Sequence, residues 1–86
     1  MSRTKDLIHV KFFSSLREVV GTRQTDLEIE EGTKTSDLMD ILADIYPGLK
    51  DYDKQVIIAV NKEVNRENIK LKNGDDVALM PPVVGG

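Results

Sequence analysis

Only one stretch of this chain has the apolar spacing of a helix able to cover a sheet. Leu38, Ile41, Leu42 and Ile45 fall at i, i+3, i+4 and i+7, a single amphipathic stripe. Pro47-Gly48 after Tyr46 sets its end, and Asp37 in its first turn suits the positive end of the helix dipole. Thr33 and Thr35 are both candidates for its N-cap, and the sequence does not choose between them. Whatever else the chain forms must bury its apolar side against this one helix.

The other apolar segments read mostly as short strands. Over residues 7–13, Ile8, Val10 and Phe12 alternate with His9, Lys11 and Phe13, and the first set is expected to face the core. Ser15 and Glu18 have the spacing of a capping box, so a short helix is expected there, with Leu16, Val19 and Val20 as its apolar side and Gly21 as its stop. Over 24–30, Thr25, Leu27 and Ile29 share one face, while Asp26, Glu28 and Glu30 make the other a wetted one. The unbroken apolar run at 56–60 suits a strand buried on both faces. A turn at 61–63 leads to a short return near Val64, and Ile69 and Leu71 then alternate with Lys70 and Lys72. Asn73-Gly74-Asp75 is a strong turn, and residues 77–80 form a last strand. The order β-α-β-α-β-β-β predicts an α+β fold, a mixed sheet covered on one face by one main helix.

Composition narrows the chemistry. With 86 residues, one domain is expected, with a modest core and no deep pocket beside it. The chain has 15 acidic and 12 basic residues, a net charge of -3 and no basic run, so a nucleic-acid partner is not expected. It has no cysteine and one histidine, His9, which argues against a disulfide scaffold, a thiol nucleophile or a metal site. Asp75-Asp76 reads as a turn followed by a strand start, not as a metal pair. Glu28, Glu30 and Glu31 read as a solvated face or a docking patch for a basic partner. There is no phosphate loop, no dinucleotide fingerprint and no Ser-His-Asp set. The polar start lacks a signal-peptide core, and no apolar run approaches the ~20 residues of a membrane helix. The expectation is a cytoplasmic protein without a membrane partner.

The informative segment is Pro81-Pro82-Val83-Val84-Gly85-Gly86. Two prolines without N–H donors end sheet pairing and favour an extended path. The division expected is a domain over 1–80 and a protruding tail over 81–86. The tip is a glycine carboxylate, which can attack the α-phosphate of ATP to give an acyl adenylate open to sulfur or to an amine. Gly85 and Gly86 lack side chains and can thread a narrow channel. Glycine pairs are common enough in tails that Gly85-Gly86 alone would say little; its place after a strand and two prolines gives it weight. Val83 and Val84 are candidates for a small apolar grip in a partner's groove, and Phe13, Leu79 and Met80 for an exposed apolar docking patch.

These segments resemble a known family. Val10-Lys11-Phe12-Phe13 leading to Leu16-Arg17-Glu18-Val19-Val20-Gly21, then Ile58-Ala59-Val60-Asn61, Leu71-Lys72-Asn73-Gly74-Asp75-Asp76-Val77-Ala78 and the tail are similar to the small subunit of molybdopterin synthase. That family comprises sulfur carriers with the ubiquitin-like β-grasp fold. Met80 stands where the family pattern leads one to expect an aromatic residue. The resemblance implies that a ubiquitin-activating-type enzyme uses ATP to adenylate Gly86, that sulfur then replaces the adenylate to give a thiocarboxylate, and that the large synthase subunit accepts the tail. There the sulfur passes to cyclic pyranopterin monophosphate. It further implies that Gly86 carries the chemistry, that Gly85 gives access, that Pro81 and Pro82 aim the tail, and that the carrier holds no cofactor and lends no catalytic side chain.

Three other readings stand beside it. The same adenylate serves a protein modifier joined to lysines. A sulfur carrier for thiamine thiazole synthesis has a similar fold and tail, although the helical segment after the first strand favours the molybdopterin type. A plain β-grasp interaction module with an inert tail belongs to a different class altogether.

Overall fold

Leu27, Ile29, Ile8, Val10 and Phe12 all turn toward one helix, and the sheet that carries them is built from both ends of the chain. The structure is a computed structural model and describes residues 5–52, 56–64 and 67–81. Its strands are β1 (Lys5–Phe12), β2 (Gln24–Glu30), β3 (Ile57–Val60), β4 (Glu63–Val64) and β5 (Asp76–Met80), in the sheet order β2-β1-β5-β3-β4. β1 pairs antiparallel with β2 and parallel with β5, matching Val10 to Val77 and Phe12 to Leu79. β3 pairs antiparallel with both β5 and β4. Helices α1 (Leu16–Val20) and α2 (Thr35–Ile45) and a 3-10 helix, Pro47–Asp51, complete a ubiquitin-like β-grasp. The 3-10 helix was not expected from the sequence; it follows from Pro47-Gly48 directly after α2. A Cβ at Gly48 would lie 2.9 Å from Val19 Cγ1 of α1, so a larger residue there would require the Val19 side chain to shift.

The core joins Ile8, Val10, Phe12, Ile29, Val77 and Leu79 of the sheet to Leu38, Met39 and Leu42 of α2, with Leu16, Leu49 and Leu71 closing its ends. The Phe12 ring meets Tyr46 edge-on, with 5.7 Å between centroids.

Several local expectations change. Ile45 is 48% exposed. The buried arc of α2 is Thr35, Leu38, Met39, Leu42 and Ala43, so at about 100° per residue Ile41 and Ile45 fall at its edge. The N-cap is Lys34, not Thr33 or Thr35. Its N–H donates to Asp37 Oδ2 at 3.1 Å, and the second helical N–H, of Ser36, donates to Asn68 Oδ1 at 3.0 Å. Thr33 Oγ1 instead donates to the Glu30 carbonyl and Thr35 Oγ1 to Asn68. The Ser15–Glu18 capping box does not form: Ser15 is helical and makes no side-chain cap bond. Ser14, at φ 52°, turns the chain into α1, and Gly21, at φ 82°, stops it as expected. The run at 56–60 is less buried than expected, since Val56, Ile57 and Ile58 are half-buried. Ile69 and Leu71 flank an isolated bridge between Lys70 and Lys34.

Asp75 is a structural residue. One carboxylate oxygen accepts the Lys72 N–H at 2.7 Å and the other the Asn61 side-chain amide at 3.0 Å. That second bond ties the β3–β4 turn to the start of β5. The turn has two residues, Asn61 and Lys62, at φ 51° and 72°, the positive values of a type I′ hairpin. Lysine is strained at the second position, where glycine is not. Replacing Lys62 with Gly is therefore expected to raise unfolding stability by about 0.5–1 kcal/mol, measured by urea denaturation.

Candidate functional site

The site of interest is where the chain leaves the sheet. β5 lies between β1 and β3, so the segment after Met80 departs from the middle of the sheet's end. Leu79 is held on one side by the N–H of Phe13, which donates to its carbonyl at 3.0 Å, and pairs with Ile58 on the other. Pro81 follows, half-buried; without an N–H it cannot extend the ladder. The expectations for Pro82, Val83, Val84, Gly85 and Gly86 lie outside the described residues.

Strand alternation assigns the flanking side chains. Leu79 points inward and is fully buried, so it is a core residue and not part of a docking patch. Met80 and Phe13 are half-buried. Register places Met80 beside Ile57, and Ala78 between Lys11 and Ala59, with Val64 across from Ala59. These positions share the sheet face opposite α2. Ile57, Ala59, Ala78 and Val64 were missed by the sequence reading; only cross-strand register reveals that they extend the row begun by Met80.

Arg17 was also missed as a feature of this end. Its Nε donates to the Phe12 carbonyl at 3.0 Å, and its guanidinium lies over the Phe13 ring, 5.6 Å from the centroid. Two contacts thus fix an exposed cation beside the root of the tail.

Further along the same face, register sets His9 between Asp26 and Asp76. Its Nδ1–H donates to Asp26 Oδ1 at 2.7 Å. That hydrogen bond, above all, raises the His9 pKa from its ordinary 6.5. Glu28, Glu30 and Glu31 are exposed. Two shallow depressions of about 380 and 470 Å³ lie at the start of β1, bordered by Asp6 and Asn73. Among the described residues no three His, Cys, Asp or Glu side chains gather as metal ligands, and no helix is long and apolar enough to cross a membrane.

The sequence of this fold matches a family model, described as the ThiS family, over residues 10–86. The chain belongs to the ThiS family. A ThiS-family relative, the molybdopterin synthase sulfur carrier subunit of Chlamydomonas reinhardtii, is 37% identical over 81 residues, spanning 92% of this chain and 98% of that protein. Small archaeal modifier protein 1 of H. volcanii has a similar structure, with a TM-score of 0.80 and 26% identity over 91% of this chain and 99% of that one. A third match is to a chain in the complex of subunits 1 and 2 of the molybdopterin-converting factor from Helicobacter pylori 26695. There the TM-score is 0.69 and the identity 28%, over 93% of this chain and 99% of that one.

Two outcomes check the geometry. Leu79→Ala is expected to cost 2–5 kcal/mol of stability, as truncation of a buried leucine does, measured by chemical denaturation. A raised His9 pKa means that its bond to Asp26 stabilises the fold fully below pH 6.5 and loses its effect as pH rises through the folded value. The stability difference between wild type and Asp26→Asn should accordingly shrink from pH 6 to pH 8. The His9 midpoint, read by NMR, should fall in that variant.

Proposed function

We propose that this chain is a sulfur carrier subunit of molybdopterin synthase and that the Gly86 carboxylate carries the sulfur. The observation that bears most weight is the 37% identity with a sulfur carrier subunit over nearly the whole of both chains. The central position of β5 agrees with it, because the tail is rooted in the most firmly held part of the sheet.

In this reading a ubiquitin-activating-type enzyme binds the tail and ATP. A Gly86 carboxylate oxygen attacks the α-phosphate, pyrophosphate leaves, and a glycyl adenylate remains. Sulfide-level sulfur (HS⁻), supplied by a sulfurtransferase system, attacks the acyl carbon, the acyl C–O bond to AMP breaks, AMP departs, and loss of the sulfur's proton leaves a thiocarboxylate. The large synthase subunit then takes the charged tail, the thiocarboxylate sulfur bonds to cyclic pyranopterin monophosphate, and water cleaves the acyl–sulfur bond, which leaves the sulfur on the acceptor and returns the Gly86 carboxylate. Gly85 lets the backbone approach closely, Pro81 and Pro82 aim the tail, and Val83 and Val84 grip the partner's groove. Phe13 and Met80, joined by Ile57, form the docking surface at its root. The chain itself binds no cofactor; ATP belongs to the activating partner.

A second reading has one observation in its favour, the similarity to a small archaeal modifier protein. It shares the adenylate and differs in the attacking group, a lysine amine instead of sulfur. Isopeptide-linked adducts in cells would favour it.

The deciding experiment is intact-protein mass spectrometry after incubation with ATP, an activating enzyme and a sulfide source. The expected result is a mass gain equal to exchanging one oxygen for sulfur. Deleting Gly86 should abolish that gain while leaving the unfolding midpoint unchanged. No gain with an enzyme competent on another carrier would sink the proposal.

A further inference from the structure

We infer that Arg17 is a recognition residue that meets a carboxylate on the large subunit of molybdopterin synthase at the root of the tail. The inference rests on the carrier reading above and adds to it the charge of the partner surface.

Charge is distributed unevenly over the sheet. The chain carries a net charge of -3, yet the tail end of its sheet is basic. Lys11 is exposed on the outward face beside Ala78. Arg17 follows the turn out of β1 and is exposed. The carboxylates of the same face, Asp26, Asp76, Glu28 and Glu30, begin at the level of His9 and continue away from the tail. The apolar row around Met80 is therefore flanked by Lys11 and Arg17 at the tail end and by anions beyond. A partner that covers this row with matching charge must place its own carboxylates near the tail root.

Arg17 is the cation best prepared for such a meeting. Nε is occupied by the Phe12 carbonyl and the guanidinium plane rests on Phe13, so its orientation is fixed before any partner arrives. The ion pair found among the described residues joins His9 to Asp26, so Arg17 has no carboxylate partner there. Among the described residues its terminal nitrogens thus remain as donors for the bidentate geometry that a carboxylate accepts. A nucleotide phosphate is the other natural ligand for a guanidinium, and distance argues against it. Residues 82–86 span up to about 17 Å when extended. Arg17 sits at the root, whereas ATP must meet the tip.

The test is calorimetric titration of the full chain into the large subunit at low and at high salt. Arg17→Gln is expected to weaken binding about tenfold or more at low salt, and the gap should narrow at high salt. Arg17→Lys should recover only part of the loss, because an ammonium offers neither the planar fork nor the ring stacking. Arg17→Gln also loses the bond to Phe12, so its unfolding midpoint is measured alongside. Lys11→Gln, which leaves that bond intact, should weaken binding in the same salt-dependent way but by less. Wild type and Arg17→Gln binding equally well at low salt would overturn the inference and leave the carrier reading standing. Unchanged binding to the large subunit with lost adenylation would also overturn it, by moving the acidic surface to the activating enzyme. If wild type itself does not bind, the carrier reading fails and this inference with it.

Discussion

The parallel pairing of β1 with β5 is the interaction on which the rest of the structure depends. It brings opposite ends of the sequence side by side at the centre of the sheet, with Phe12 level with Leu79 and Val10 level with Val77. Those four side chains are the floor on which α2 lies. β2 adds to β1 on one side and β3 to β5 on the other, so the central pair joins the two halves of the sheet into one surface. Because the partners are distant in sequence, loop closure precedes the contacts that repay it, and folding is expected to be slow for so small a domain.

Much of this was legible because two periods dominate the sequence. The inward set Ile8, Val10 and Phe12, the wetted face of β2, the Gly21 stop and the Asn73-Gly74 turn are local signals, and each is where the pattern placed it. The errors cluster where the deciding contact is remote. The first turn of α2 is completed by Asn68, and nothing near residue 34 announces it. The end of β5 is Val-Ala-Leu-Met, with no polar residue to mark which side is wet, so Leu79 and Met80 looked alike. Only register against β1 and β3 separates them. Arg17 stood in the sequence only as part of the matched stretch from Leu16 to Gly21, because its two contacts depend on the turn at Ser14. The tail was read from composition, from its two prolines and from family resemblance.

The division of labour that follows is unusual for a chain with a chemical task. What the fold supplies is placement: a central strand, a proline at its exit, an apolar row beside it and a guanidinium held against an aromatic ring. Under the proposed carrier reading, reactivity rests with the main chain and with the proteins that receive it, which would suit a carrier with more than one host.

The position of β5 also has a mechanical consequence. A partner that draws the tail into a channel pulls along the axis of a strand bonded on both sides, parallel to β1 and antiparallel to β3. Such a load is applied in shear, so the bonds of both ladders resist together instead of opening one after another. A terminus rooted in an edge strand would peel. Here the handle can be tugged without unravelling the body that delivers it.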